Sequence, residues 1–470
     1  MAPDVVIKSC TALIAGGTQP SRYLSITYYN RGLAYRRMGD DDRALADFND
    51  AIKADPSNTF AFMIRGSARY EQGDTDGAIA DYGDAIRVDA SNALAFANRC
   101  NAWRSKGDND RAIADCDEAI RLDPRLAAAF DNRGLARLAK GDTERAIADY
   151  DEAIRLDPAF PLAFLNRGIA HGAKGDYDRA IADYDAAIRL APTLAQAFNN
   201  RGGIFRAKGD DDRAIADFDA AIRLDAKLAG AFYNRGSVRL AKGDNANAVA
   251  DFGEAIRLDP QFVPALSGRS LAYAAIGDDG RAIADLDAAL RLRSDDQPDS
   301  RVLHLRRGLA SFRIGNFRAA ASDLAFVVRQ QPTDAGPMLW LYLARARAGE
   351  RDAMSRMRAN ARGLKPSDWP FPVAELLMDR RKPEPTLASA GNPVERCQAQ
   401  FYVGEWHLLR KDRAAARRAL QAVADSCPKS LAESQGAAAE LRRLGGADDE
   451  RTGSIRASTP DKAATKRPMR

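Results

Sequence analysis

Apolar and small residues recur along this chain with a helical period, and the helical segments recur in turn. Between Phe130 and Pro158 the unit reads directly. Phe130, Gly134 and Arg137 fall on one helix with small and apolar neighbours. Gly141 breaks the pattern as a left-handed turn residue, and Asp142 is placed to cap a second helix. Ala146, Tyr150, Ala153 and Ile154 form the apolar stripe of that second helix, and Pro158 ends it. The segment predicts two helices, A and B, folded back on each other about a glycine.

The hairpin is repeated. The tripeptide NRG begins at Asn30, Asn132, Asn166, Asn200 and Asn234, with IRG at Ile64 and NRC at Asn98, and each step is 34 residues. The string GDTERAIADYDEAIRLDP starts at Gly141, and close copies start at Gly175 and Gly209. Nine units fill 25–334, with four extra residues at 297–300, and every unit keeps a turn glycine, from Gly39 to Gly315. One hairpin cannot bury its stripe alone, so the units must stack.

This spelling resembles the tetratricopeptide (TPR) repeat family. Its pattern of bulky, small, aromatic, Gly, Ala, aromatic, Ala and Pro at positions 4, 8, 11, 15, 20, 24, 27 and 32 is met in the third unit. The residues there are Phe96, Cys100, Trp103, Gly107, Ala112, Cys116, Ala119 and Pro124. The resemblance implies an all-α TPR solenoid, a right-handed superhelix of antiparallel hairpins that binds other proteins. One departure is systematic. Position 7, usually leucine in the family, is arginine in all nine units, and position 23 is aspartate in all nine. Arg–Asp pairs between helices A and B, within a unit or across a junction, are the expectation.

In the family the A helices line the concave surface. In six of the first seven units position 6 is asparagine, at Asn30, Asn98, Asn132, Asn166, Asn200 and Asn234, with Ile64 as the exception. Asparagine is a mediocre helix residue, so a row of them invites explanation. The row is similar to the asparagine ladder of O-GlcNAc transferase, where concave amides hold an extended polypeptide. An amide can donate to a carbonyl and accept from an N–H of one peptide unit. Tyr29, Asn101, Arg104, Asn199 and Tyr233 stand beside the row and complete the candidate partner groove. The competing reading is that duplication copied NRG as a packing signature. The family's carboxylate clamp for chaperone C-termini is not expected, since no unit has Lys at position 5 and Arg306 is the sole arginine at position 6.

The regular pattern decays after 334. Four regions are expected: a capping helix in 1–24, nine units in 25–334, degenerate hairpins and a cap in 335–445, and a disordered tail in 446–470. Residues 4–15 look like a B helix without its A helix, which reads as a cap or as a segment missing upstream. Beyond the array, Gly349 marks a degenerate turn, a short helix is expected near Val373–Met378, a hairpin turns at Lys411-Asp412, and Leu431–Leu444 forms a last helix.

Composition narrows the function. Apolar residues make up 46% and aromatics 7%, a helix-forming vocabulary poor in strand formers. The net charge of +5 is too mild to indicate nucleic acid, although 335–446 alone holds 19 Lys+Arg against 12 Asp+Glu. No apolar run has the length of a spanning helix. No GxSxG, Walker-type, GxGxxG, CxxC or HExxH motif occurs, and His171, His304 and His407 sit at packing positions. No catalytic residue, cofactor or metal is expected. Cys397 and Cys427 close the two ends of the last hairpin, which makes a disulfide geometrically feasible. Cys100 and Cys116, at packing positions 8 and 24, are expected as buried free thiols. The location is cytoplasmic as written, or periplasmic if an export signal is missing upstream. The leading reading is a non-catalytic scaffold or adaptor for an extended peptide. The alternatives are a cell-envelope assembly factor acting through its C-terminal hairpins, or the regulatory arm of an enzyme whose N-terminal part is absent.

Overall fold

A computed structural model describes residues 2–456, with side chains through Gly445. Twenty-six α-helices and no strand occur among the described residues. They cluster into two compact parts, Met1–Asp225 and Ala226–Arg470. The first holds a lone N-terminal helix (Pro3–Ala15) and the hairpins of repeats 1 to 6. The second holds repeats 7 to 9 and the C-terminal hairpins.

Repeat 4 shows why the sequence folds this way. Helix A spans Ala127–Ala139 and helix B spans Thr143–Leu156. Gly141 between them has φ +82°, a left-handed conformation that a side chain would strain. Asp142 then caps helix B by accepting from the Arg145 amide. Where the helices cross, a Cβ on Gly134 would stand 2.6 Å from the Tyr150 ring. Only a glycine admits the ring there, and Ala146 and Ala153 are fully buried beside it.

In repeat 3 the same crossing is built differently. Cys100 and Cys116, expected as free thiols, are joined in a disulfide with a Cα separation of 5.5 Å. They occupy the two places where repeat 4 sets a glycine against a ring. Two small thiols at so close a crossing leave their sulfurs facing each other, which spacing along the chain does not reveal. A second disulfide joins Cys397 and Cys427 across the last hairpin, and Cys10 is free and buried.

All nine Arg–Asp pairs form, each within its own repeat. Arg133 donates through Nη2 to Asp149 Oδ1 at 2.7 Å and through Nε at 3.1 Å. Its Nη1 reaches back to Asp117, on helix B of the preceding repeat, at 2.6 Å. Arg167 and Arg201 make the same backward contact to Asp151 and Asp185. Each of these arginines therefore staples three helices. At Gly83 and Gly253 the backward acceptor is missing from the sequence, and the Nη1 of Arg99 and of Arg269 faces a bare glycine. The Nε and Nη2 donors of each arginine are taken by the aspartate of its own repeat, which accounts for the arginine row without a ligand.

The C-terminal region has the large side chains that the array lacks. Phe312, Trp340, Phe401 and Tyr402 pack together, with Trp340 4.9 Å from Phe401 between ring centres. Helices Ala335–Arg347 and Ala353–Asn360 follow the array around Gly349, and Phe371–Leu377 is joined by an unforeseen second short helix, Pro383–Ala388. The last hairpin (Pro393–Leu409, Arg413–Ser426) turns at Lys411, whose φ is +63°. The last helix, Ala432–Arg456, runs beyond Leu444, where the sequence reading ended it. No proline intervenes before Pro460, and helix-forming residues continue through the two glycines. The remainder of the expected disordered tail, 457–470, lies outside the described residues.

Candidate functional site

Within the first part, the A helices of repeats 2 to 6 approach one another in succession, most extensively in repeats 3 and 4. No comparable approach joins the B helices among the described residues. The A helices therefore form the inner side of this stack.

The asparagines on that side are not equivalent. Asn30 is exposed, Asn98 and Asn132 are half-buried, and none of the three side-chain amides makes a hydrogen bond to a described residue. Asn166 is buried and donates through Nδ2 to Asp131 Oδ1 at 2.9 Å. Asn199 donates to Asn200 Oδ1 at 3.3 Å. Tyr29 lies at the first repeat with its ring 6.2 Å from Phe48. Asn234 and Tyr233 belong to the second part, where Tyr233 packs on Phe252 and Phe262.

Repeats 3 to 5 bring a polar cluster together. Arg104 donates through Nη2 to Asn101 Oδ1 at 2.8 Å, while its Nε is enclosed without a protein partner. The Tyr150 hydroxyl is enclosed in the same way. Asp131, 6% exposed, has its carboxyl pushed up to about 6 by burial, against the opposing pull of the Asn166 amide and the Arg104 charge. Burial and the Asp131 charge also push the Tyr150 phenol upward. Sequence reasoning found Asn101, Arg104 and Asn166 but missed Asp131 and Tyr150. One signal was available, because Asp131 is the only acid at position 5 in any repeat.

Of the three histidines expected in the core only His171 is buried, and His407 is partly exposed beside Asp412. His304 bonds Asp323 through Nδ1 at 2.7 Å while its ring lies on Phe326. Among the described residues no group of side chains suits a metal, and no helix is long and apolar enough to cross a membrane.

Stacked two-helix units with a polar inner lining define a helical-repeat protein. The chain belongs to the tetratricopeptide repeat family. Residues 134–175 match the family description TPR repeat, and 29–93, 65–127, 165–229, 233–297 and 398–430 match Tetratricopeptide repeat. Those matches support a protein–protein interaction scaffold, and they are confined to repeats of the non-catalytic kind. Among solved structures, a tetratricopeptide repeat protein from Parabacteroides merdae is 20% identical with a TM-score of 0.45, over 53% of this chain and 98% of that one. YrrB, described as a TPR protein with an unusual peptide-binding site, is 25% identical with a TM-score of 0.32, over 39% and 95%. MamA is 26% identical with a TM-score of 0.31, over 35% and 96%.

Proposed function

We propose that this protein is a scaffold that holds an extended polypeptide along the inner faces of its A helices and reads main chain. The observation that carries the reading is the set of uncommitted side-chain amides at Asn30, Asn98 and Asn132. Packed helices lie about 8–10 Å apart, and an extended chain rises about 3.3 Å per residue. Successive repeats would thus meet every third residue of the ligand. Each net hydrogen bond contributes only about 0.5–1.5 kcal/mol, so the row acts collectively.

Backbone reading makes a sharp demand on the ligand. An extended peptide that binds the full chain should tolerate changes to its side chains, yet lose binding when its backbone nitrogens are methylated. Retained binding of the N-methylated peptide would remove the main-chain mechanism. The two disulfides support an oxidising compartment as the place of action, because such bonds are rare in reducing cytosol. Thiol blocking before extraction from the native host tests this point. Intact Cys100–Cys116 and Cys397–Cys427 bridges are expected, and free thiols at all four positions would contradict it.

A further inference from the structure

Arg306 departs from the rule kept by its neighbours. The arginines at position 7 are each taken by a buried aspartate, whereas Arg306, at position 6 of repeat 9, meets no carboxylate among the described residues. Its Nη1 donates to Ser267 Oγ at 2.5 Å. The side chain is half-buried, which strips part of the water from the guanidinium without supplying a carboxylate, and its pKa is lowered accordingly. The second arginine nearby, Arg313, is already neutralised. It donates through Nε and Nη2 to Asp279 Oδ1 at 2.9 and 2.7 Å, with both side chains buried.

Arg306 lines a cavity of about 180 Å³. One wall is helix A of repeat 8, with Ser270 and Leu271, and another is helix A of repeat 9, with Leu309. The C-terminal region closes the third side with Ser430 and Gln435. The space therefore joins one uncompensated cation to an apolar flank and a polar rim. A single negative charge on a short hydrocarbon satisfies all three. A dianion such as phosphate would leave a second charge beside Leu271 and Leu309.

We propose that this cavity binds a carboxylate carried on a short aliphatic stem, with Arg306 as the counter-ion. The planar guanidinium offers parallel N–H donors that match the two carboxylate oxygens. Leu271 and Leu309 flank the stem, and Ser430 and Gln435 stand at the rim. The site lies wholly in the Ala226–Arg470 part and uses none of the asparagines, so it stands or falls apart from the groove.

Calorimetric titration of the full chain with butyrate, trialanine and trialanine amide tests the site. Saturable binding of butyrate or of trialanine is expected, with no binding of the amide. Binding of both acids marks a small-acid site, and binding of trialanine alone marks a peptide terminus as the source. Arg306→Gln should weaken the interaction by at least about tenfold, the loss of one charge-assisted contact. Ser430→Leu should weaken it comparably by filling the cavity from the opposite wall, and it keeps the test open if Arg306→Gln does not fold. Absence of saturable binding at millimolar acid would overturn the proposal. So would unchanged affinity in a folded Arg306→Gln, or equal binding of the amide.

Discussion

Asp149 accepts from Arg133 and also from Arg137 while only 3% exposed. Removing one partner of a buried pair strands the other charge, which costs roughly 3–5 kcal/mol, whereas replacing both with apolar residues is often near neutral. Asp149→Leu should therefore lower the urea midpoint sharply, and Arg133→Leu/Asp149→Leu should recover more than half of the loss. Additive losses would show that the pair is not the unit of stability. Asp131 gives the opposite expectation. Its carboxyl holds its proton more tightly in the folded chain, to about 6, than at the ordinary value near 3.9 in the unfolded chain. Ionisation thus penalises the fold above about pH 6, and the penalty fades as pH falls toward 4. Asp131→Asn should stabilise the protein at pH 7, by at most about 3 kcal/mol, with the gain vanishing near pH 4. A pH-independent effect in thermal melts would contradict the assignment. At this scale the Arg–Asp pairs were legible because nine copies spell them at fixed spacing. The Asp131–Asn166 contact was not, since it joins A helices of neighbouring repeats through an acid that position 5 carries in one repeat alone.

Each hairpin depends on the closeness of its crossing. Gly134 against Tyr150 and the Cys100–Cys116 bridge are two solutions to one steric problem. Closing a loop of about 15 residues contributes roughly 3 kcal/mol in the chain-entropy account. Cys116→Ser should lose stability of that order and become insensitive to reductant. Cys100→Gly/Cys116→Tyr, which copies the neighbouring repeat, should be equally insensitive but lose distinctly less. Melting curves with and without dithiothreitol separate these outcomes, and equal losses in the two variants would show that the crossing cannot be rebuilt this way. The turn glycines, aspartate caps and alanine stripes were readable because each follows from backbone geometry at a fixed position. The bridge was misread because the packing pattern treats cysteine as one more small residue. The helix Pro383–Ala388 was missed within a proline-rich link, where proline at the first turn of a helix starts it as readily as it ends another.

For the molecule as a whole, stability should be distributed along the repeats, because each unit contacts chiefly its neighbours. Native-state hydrogen exchange should find graded protection, strongest at the alanine-lined crossings, and a single cooperative value throughout would contradict a repeat-by-repeat ledger. The 34-residue period made the solenoid legible from the sequence. The Arg306 cavity was not legible, because its walls come from repeats 8 and 9 and from residues near 430, far apart along the chain. The proposed function requires that the inner asparagines hold a polypeptide. Binding of an unstructured peptide library to the full chain, compared with the Asn30→Ala/Asn98→Ala/Asn132→Ala variant, tests that claim most directly. Three lost amides at about 0.5–1.5 kcal/mol per bond predict a loss of at least about tenfold across peptides of unrelated sequence. Undiminished retention by a variant with the same melting temperature would contradict it.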